Sequence, residues 1–258
     1  MSGALRGRLE RAGVPAGATP AEAWARLREV EGERLTVIDL YRLVAEPRGL
    51  EPHELSIEER QALARSVMPL VWPGFETTDG TARIDPVEVV EYDPAWPAVF
   101  ERWRKRIAAA LGPAALRIEH VGSTSVPGLA AKPTVDIQVS VRDLDDESDY
   151  VPQLEGAGVQ LRSRDDVHRY FRPPATEPRS VHVHVCALGS DWERHHLRFR
   201  DYLRAHPEAR DRYAAVKREA AKVWVDDRWG YTDAKTDVIL DIMEAAEAAA
   251  GRSVPGDR

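Results

Sequence analysis

The first third of the chain carries apolar side chains at the spacing of amphipathic helices. Thr19 and Ser56 each precede such a segment, and a Glu three residues later completes the pattern of a helix-capping box. Between these two starts, residues 35–44 have apolar side chains three and four positions apart. The pattern therefore predicts a helical region, which ends at a stretch rich in Thr, Gly, Asp and Pro over residues 73–85.

From residue 86 onward the pattern changes to a mixture of period-two and helical segments. A helix is predicted to open at Asp93-Pro94 and to close at Gly112-Pro113. Strands are predicted at 87–92, 116–121, 134–141, 158–163, 168–172 and 180–187. Three long helices are predicted near 191–205, 207–224 and 231–249. This order predicts an α+β (α/β) domain over residues 86–250, after a helical N-terminal extension at 1–85 and before a flexible tail at 251–258.

Composition and charge narrow the class of protein. The chain has 258 residues, a net charge of −7 and 43% hydrophobic residues, which predicts one or two folded domains and excludes fibres and disordered tails. The single cysteine, Cys186, excludes a disulfide framework, and no secretion signal or apolar window of about 20 residues is evident. We therefore expect a soluble, cytoplasmic protein that does not enter a membrane. Its acidity argues against a broad nucleic-acid surface.

The most informative segment is the turn-rich stretch between the strands at 116–121 and 134–141. Gly122 is followed by Ser123, Thr124 and Ser125, so backbone N–H groups and hydroxyls can approach a phosphate. Lys132 and Asp136 follow, and an anion cradle beside metal-binding groups is what phosphoryl or nucleotidyl transfer requires. The alternative is a turn in which Ser and Thr only satisfy their own backbone.

The run His120-Val-Gly-Ser-Thr-Ser-Val-Pro-Gly-Leu129, followed by Lys132-Pro133 and Asp136-Ile137, closely resembles the signature of the GrpB family. Further matching segments lie at 182–185, 199–204, 213–217 and 231–235, so the resemblance covers about residues 86–250. It implies a nucleotidyltransferase-like mixed sheet flanked by helices, in which Gly122-Ser123 corresponds to the Gly-Ser element of that superfamily. The family's domain also occurs joined to dephospho-CoA kinase, which suggests nucleotide or coenzyme chemistry.

The chain departs from active nucleotidyltransferases in its acidic residues. Those enzymes place two carboxylates at positions i and i+2 of one strand to hold Mg²⁺, whereas here Asp136 is followed by Gln138. The expected partner strand offers His182 and His184, which share a face by period-two alternation. One carboxylate with two imidazoles suits Zn²⁺, Mn²⁺, Fe²⁺ or Ni²⁺ better than Mg²⁺. Asp136 and His184 are also candidate catalytic residues. The alternative is that these His residues make hydrogen bonds on a half-buried sheet face or contact a ligand directly.

Other candidates are less specific. His120 is a candidate catalytic proton donor or a support for the turn. Arg169 is the favoured ligand-binding residue of an Arg-rich segment, against the alternative of surface salt bridges. The family pattern adds four candidate ligand-binding residues, namely Arg200, Lys217, Tyr231 and Lys235. The aromatic residues of the last helices are expected in the core, and His195 and His196 at the surface.

The leading hypothesis is an enzyme that binds a nucleotide or another phosphate- or carboxylate-bearing small molecule and transfers a nucleotidyl or related group. It would use a divalent metal (Zn, Mn or Mg) and ATP or another nucleoside triphosphate. The alternatives are a non-catalytic ligand-binding or adaptor domain, and a metal- and ATP-dependent ligase of small molecules. The N-terminal extension would cover the pocket, mediate a homodimer or bury apolar area.

Overall fold

The computed structural model describes residues 3–32, 35–71, 76–77 and 86–252. Contacts divide the chain into two compact units. The first unit contains the described residues within 1–73, 84–87 and 216–240, and the second contains those within 74–83, 88–215 and 241–258. The predicted boundary at residue 85 and the predicted end of the domain at residue 250 stay predictions.

Helices account for most of the described chain. The first four are α1 (Gly3–Arg11), α2 (Pro20–Glu31), α3 (Val37–Ala45) and α4 (Ile57–Val71). Two more lie among the strands, α5 (Trp96–Leu111) and α6 (Val151–Gly156). The last four are α7 (Asp191–Ala205), α8 (Pro207–Val223), α9 (Arg228–Asp233) and α10 (Thr236–Arg252).

The predicted helix starts in the first unit are confirmed. Thr19 accepts a hydrogen bond from the Glu22 backbone N–H, and Glu22 accepts one in return from the Thr19 N–H at 2.8 Å. Ser56 and Glu59 make the same reciprocal pair before α4. Both pairs satisfy N–H groups that a helix start leaves without intrahelical partners. The helices bury Trp24, whose indole N–H donates to the Thr36 carbonyl at 2.8 Å.

The second unit is built on a mixed sheet. Its strands are β1 (Glu76–Thr77), β2 (Arg117–Val121), β3 (Val135–Val141), β4 (Gln160–Arg164), β5 (Arg169–Arg172) and β6 (Val181–Ala187). They are arranged in the order β1-β4-β5-β6-β3-β2. The pair of β3 with β6 is parallel, and the other pairs are antiparallel. The predicted α+β class, with a mixed sheet flanked by helices, is confirmed.

The two faces of the sheet differ in chemistry because successive side chains of a strand point to opposite sides. On one face, alternate valines and Ile137 of β3 and β6 form a buried core with α5 and α6. On the other face the same two strands carry Asp136, Gln138 and Ser140, and His182, His184 and Cys186. Helix α7 contacts this polar face, where Glu193 accepts a hydrogen bond from Ser140 at 2.5 Å. The alternation thus separates core from candidate site.

Two sequence predictions need correction, and two elements of the structure were not predicted. Residues 87–92 do not form a strand; Val90 makes an isolated pair with Ala131, because its partner lies in a loop and not in the sheet. The expected helix at 231–249 is interrupted between α9 and α10. Helix α6 and the short strand β1 were not predicted. Of the predicted tail, Gly251 and Arg252 end α10, and residues 253–258 lie outside the described residues.

No helix in the described part of the chain is both long enough and apolar enough to cross a membrane.

Asp233, at the end of α9, gives the first unit a pH-dependent stability. Its carboxylate accepts a hydrogen bond from the Val37 N–H at 2.5 Å, but burial raises its pKa to about 6. The folded state therefore binds a proton that the unfolded chain has already released, so this group's contribution to stability falls as pH rises from about 4 to 6. We predict that Asp233→Asn, which keeps the acceptor, stabilises the protein at pH 7.5 by about 1–3 kcal/mol and has little effect near pH 4.

Urea denaturation at both pH values checks this prediction. Asp237→Asn, at an exposed position of α10, is the matched control and should show no such change between the two pH values. A free-energy difference for Asp233→Asn that is the same at both pH values would contradict the assignment.

Candidate metal and anion site

A sharp bend after β2 brings the chain against the side chain of Asp136. Gly122 forms this bend with φ 67° and ψ −174°, a backbone conformation open to glycine. A Cβ atom at this position would lie 2.3 Å from the Asp136 Oδ2 atom. Glycine is therefore required here both for the turn and for the close approach to the carboxylate.

Three side chains of the polar sheet face converge beside the bend. The parallel register places Asp136 directly opposite His182, and His184 lies two residues further along β6. The Asp136 Oδ1 atom is 3.1 Å from His182 Nδ1 and 3.5 Å from His184 Nε2. One potential ligand atom from each residue lies within 4.8 Å of the other two. The structure thus brings together the three residues that the sequence nominated for a metal, and their role as ligands stays a prediction.

The environment of the cluster favours the ionised form of Asp136 and the neutral form of His182. Burial by itself opposes ionisation of Asp136, but its contacts with the His182 and His184 imidazoles outweigh burial and hold the pKa of Asp136 well below its usual value. Burial lowers the pKa of His182 despite the neighbouring carboxylate. Near pH 7 Asp136 is therefore ionised and His182 is neutral, and both forms are ready to bind a cation.

The residues fit a divalent transition metal. Asp136, His182 and His184 would hold it, because two imidazoles and one carboxylate are typical zinc ligands, whereas Mg²⁺ prefers oxygen. Gln138 lies on the same face opposite His184, and within the described part of the chain neither polar atom of its buried amide has a hydrogen-bond partner. A buried amide without hydrogen-bond partners lowers the stability of the folded state, and a water molecule on a bound ion would supply such a partner.

The three hydroxyl side chains after Gly122 differ in their burial and in their hydrogen-bond partners. Thr124 and Ser125 are buried: the Thr124 hydroxyl lies 3.0 Å from His120 Nε2, and the Ser125 hydroxyl donates to the Gly122 carbonyl at 2.6 Å. The turn itself uses both hydroxyls, and the role of Thr124 and Ser125 in binding an anion stays a prediction. Ser123 is half-buried and bonds with the Tyr213 hydroxyl of α8.

His120 occupies a position that suits support of the turn. Its ring stacks on Phe100 with centroids 4.8 Å apart, and its Nε2 atom meets Thr124. Burial lowers the pKa of His120 to about 4, so the imidazole is neutral near pH 7. These contacts match the turn-support alternative, since a neutral imidazole bonded within the turn is a weak proton donor.

Arginines on α7 and α8 hold the loop from outside. Arg210 of α8 donates to the Pro127 carbonyl at 3.4 Å. Arg200 donates to the His120 carbonyl at 3.0 Å and to Glu119 at 2.8 Å. Arg204 directs two N–H groups to the Ser125 carbonyl, at 2.8 and 3.0 Å. Arg200 was predicted to bind the ligand; the structure gives it carbonyl and carboxylate partners that fix the bend.

Lys132 and Arg169, two further basic residues that were predicted to bind the ligand, differ in whether the structure places them near the cluster. Lys132 is half-buried, and its positive charge lowers the pKa of His182, so it lies in the electrostatic range of the cluster. Arg169 lies on the core-facing side of β5 with Phe171 and pairs with Glu147 at 2.6 Å. The structure therefore does not bring Arg169 to the cluster, because Tyr170, its neighbour, is the residue that faces His184.

Three further predicted ligand-binding residues, Lys217, Tyr231 and Lys235, belong to the first compact unit. Lys217 and Tyr231 are buried, and the Lys235 ammonium lies over the Tyr231 ring at 4.3 Å from its centroid. Their roles in ligand binding stay predictions.

Sequence reasoning missed a group of rings that surrounds His184. His168 Nε2 lies 2.9 Å from His184 Nδ1, and the His168 ring stacks on Trp192 with centroids 4.9 Å apart. The sequence predicted Trp192 in the core and His196 at the surface. In the structure their rings stack, with centroids 3.7 Å apart. The period-two alternation of side chains could have revealed this group, because His168 and Tyr170 are two residues apart and Tyr170 pairs with His184.

Comparisons with known proteins identify the family. The family model described as GrpB protein matches residues 86–245, which is more than half of the chain. The chain belongs to the GrpB family. A UPF0157 protein of Halalkalibacterium halodurans is 46% identical over 165 residues, which cover 63% of this chain and 83% of that protein. The crystal structure of the conserved protein GrpB from Enterococcus faecalis matches with a TM-score of 0.57 and 31% identity, and covers 64% of this chain and 99% of that one.

A dephospho-CoA kinase of Mycolicibacterium paratuberculosis is also similar, with 32% identity over 243 residues. The alignment covers 83% of this chain and 58% of that protein. It thus extends beyond the segment that the GrpB family model matches.

Substitution of Gly122 tests the bend. We predict that Gly122→Ala costs more stability than the about 1–3 kcal/mol of a strained backbone alone, because its Cβ also displaces the Asp136 carboxylate. The matched control is Gly112→Ala, where φ is 52° but no atom lies within 4 Å of the added Cβ. Urea denaturation measures both variants. Equal losses for the two would show that the contact between Gly122 and Asp136 does not exist in solution.

Proposed function

We propose that this GrpB-family protein is a metal-dependent enzyme with nucleotidyltransferase-like chemistry. It binds a nucleotide or another phosphate- or carboxylate-bearing small molecule and transfers a nucleotidyl or related group. The observation that carries the proposal is the convergence of Asp136, His182 and His184 at the Gly122 bend. A cation held by these residues would neutralise phosphate charge and polarise the reacting phosphorus centre, which is the chemistry that such a transfer needs.

The chain's own residues would bind and orient the substrate. Ser123 is the one hydroxyl of the Ser-Thr-Ser segment that is half-buried and not enclosed by the turn, so it is the best placed of the three to meet an anion. Lys132 supplies a positive charge near His182. The bonds from Arg200 and Arg204 to loop carbonyls keep the bend in one conformation, which lowers the entropic cost of binding.

The similarity to a dephospho-CoA kinase supports a nucleotide or phosphorylated coenzyme as the class of ligand. The small-molecule substrate, the homodimer and the cytoplasmic location remain parts of this proposal.

A second candidate function is ligand binding without catalysis. The observation that favours it is the acidic set: β3 offers Asp136 and then Gln138, so the cluster has one carboxylate where nucleotidyl transfer by two Mg²⁺ ions uses several. The enclosure of the Thr124 and Ser125 hydroxyls also reduces the number of groups for a triphosphate. Such a protein would bind a ligand and show no turnover.

Metal binding is the first test. We predict that the purified protein, stripped of metal, binds one Zn²⁺ or Mn²⁺ per chain and binds Mg²⁺ more weakly. Isothermal titration calorimetry should show that His184→Ala weakens binding at least about 100-fold, because a ligand of a three-residue set is lost. His53→Ala, at an exposed position of the first unit, is the control and should bind as the unaltered protein does.

Nucleotide binding is tested by thermal shift with and without the metal. A ligand at 100 times its Kd stabilises the folded state by about 2.7 kcal/mol, which corresponds to several degrees in a chain of this size. We expect the shift with a nucleoside triphosphate or coenzyme only when the metal is present. Binding of metal and nucleotide without turnover would favour the second candidate, and binding of neither would exclude both.

A further inference from the structure

A line of four polar side chains crosses the polar sheet face and ends at the candidate metal cluster. Asp165 Oδ2 lies 3.5 Å from His168 Nδ1, and His168 Nε2 lies 2.9 Å from His184 Nδ1. His184 Nε2 then lies 3.5 Å from Asp136 Oδ1. The line thus has a carboxylate at each end and two imidazoles between them.

The direction of the hydrogen bonds along this line decides where a cation fits. In the neutral form of an imidazole, which is the form that binds a metal, one ring nitrogen donates and the other presents a lone pair. If His168 donates from Nδ1 to Asp165, its Nε2 atom must accept from His184 Nδ1. His184 Nε2 is then left with a lone pair that faces the Asp136 carboxylate. A cation between these two atoms would turn this repulsion into attraction.

The surroundings of Asp165 and His168 favour this arrangement. The Asp165 N–H donates to the His168 carbonyl at 3.0 Å, which closes the turn and holds the two residues together. Asp165 Oδ1 accepts from the Val167 N–H at 2.9 Å, so Oδ2 is the oxygen left for His168. The His168 ring is stacked on Trp192, which fixes the plane of the imidazole.

We propose that Asp165 and His168 are positioning residues that fix the tautomer of His184, so that its Nε2 lone pair points at the cation site beside Asp136. The pair acts as carboxylate–histidine partners of metal-binding imidazoles do, with one additional ring between the carboxylate and the ligand. This inference rests on the proposed metal site and adds to it two residues outside the ligand set.

Asp165→Asn is the sharpest test. The Val167 N–H keeps the amide oxygen in the place of Oδ1, so the amide NH₂ replaces Oδ2 and faces His168 Nδ1. Two donors then meet, and His168 is driven to the tautomer that prevents His184 from donating through Nδ1. We expect Zn²⁺ affinity, measured by calorimetry on the full chain, to fall about 10- to 100-fold. Asp166→Asn, at the exposed neighbouring position, should leave the affinity unchanged.

A second variant separates hydrogen bonding from packing. His168→Phe keeps an aromatic ring against Trp192 but removes both nitrogen atoms. We expect it to lose Zn²⁺ affinity by a similar factor and to retain the circular dichroism spectrum of the unaltered protein. If His168→Phe binds Zn²⁺ normally, His168 is only a packing residue and the inference is wrong.

Nitrogen-15 NMR of histidine side chains reads the tautomers directly. In the Zn²⁺-loaded protein we expect His168 to be protonated at Nδ1 and His184 to be protonated at Nδ1. A His168 ring protonated at Nε2 would overturn the inference, as would unchanged affinity in Asp165→Asn. If the unaltered protein binds no Zn²⁺ or Mn²⁺ at all, the proposed metal site itself fails, and that result is distinct from a site that binds metal and ignores Asp165.

Discussion

The parallel register between β3 and β6 is the constraint on which the candidate site depends. It places Asp136 opposite His182 and Gln138 opposite His184, so the polar residues of two strands form one surface. A shift of one residue would exchange these side chains for the valines of the core, and the cost of burying charge would prevent folding. The hydrophobic pattern that stabilises the core therefore also fixes the positions of the carboxylate and the imidazoles.

The bend at Gly122 completes the site from a different direction. The register brings side chains together within the sheet, and the bend brings backbone against them because no Cβ intervenes. Arginines on two helices then bind the loop's carbonyl groups, so the loop conformation is held by side chains far away in sequence. Sheet, loop and helices contribute to one local geometry.

Much of this could be predicted from the sequence, for reasons that individual residues make clear. The alternation of His182 and His184 with valines identified both the strand and the shared face, since period two is a local property. The enclosure of the Thr124 and Ser125 hydroxyls was not predictable, because it depends on His120 and on the exact path of the turn. Local patterns show which residues share a face, and tertiary contacts decide which partners they meet.

The sequence analysis favoured Arg169 as a ligand-binding residue and did not place His168 and Tyr170 at the candidate site, and both results have one cause. Alternation correctly grouped Arg169 with Phe171, but the group faces the core side, where Arg169 is paired with Glu147. Had Phe171 been used to choose the buried face, His168 and Tyr170 would have been assigned to the side of His184. One apolar residue in a strand can thus indicate on which face of the sheet its polar neighbours lie.

The chain's single cysteine affects the chemical character of the polar face. Cys186 lies two residues beyond His184 on β6, where burial raises the pKa of its thiol to about 11. A protonated thiol is a poor metal ligand, because the thiolate is the form that binds soft ions. The three-residue cluster therefore consists of nitrogen and oxygen donors, and this thiol is not one of them.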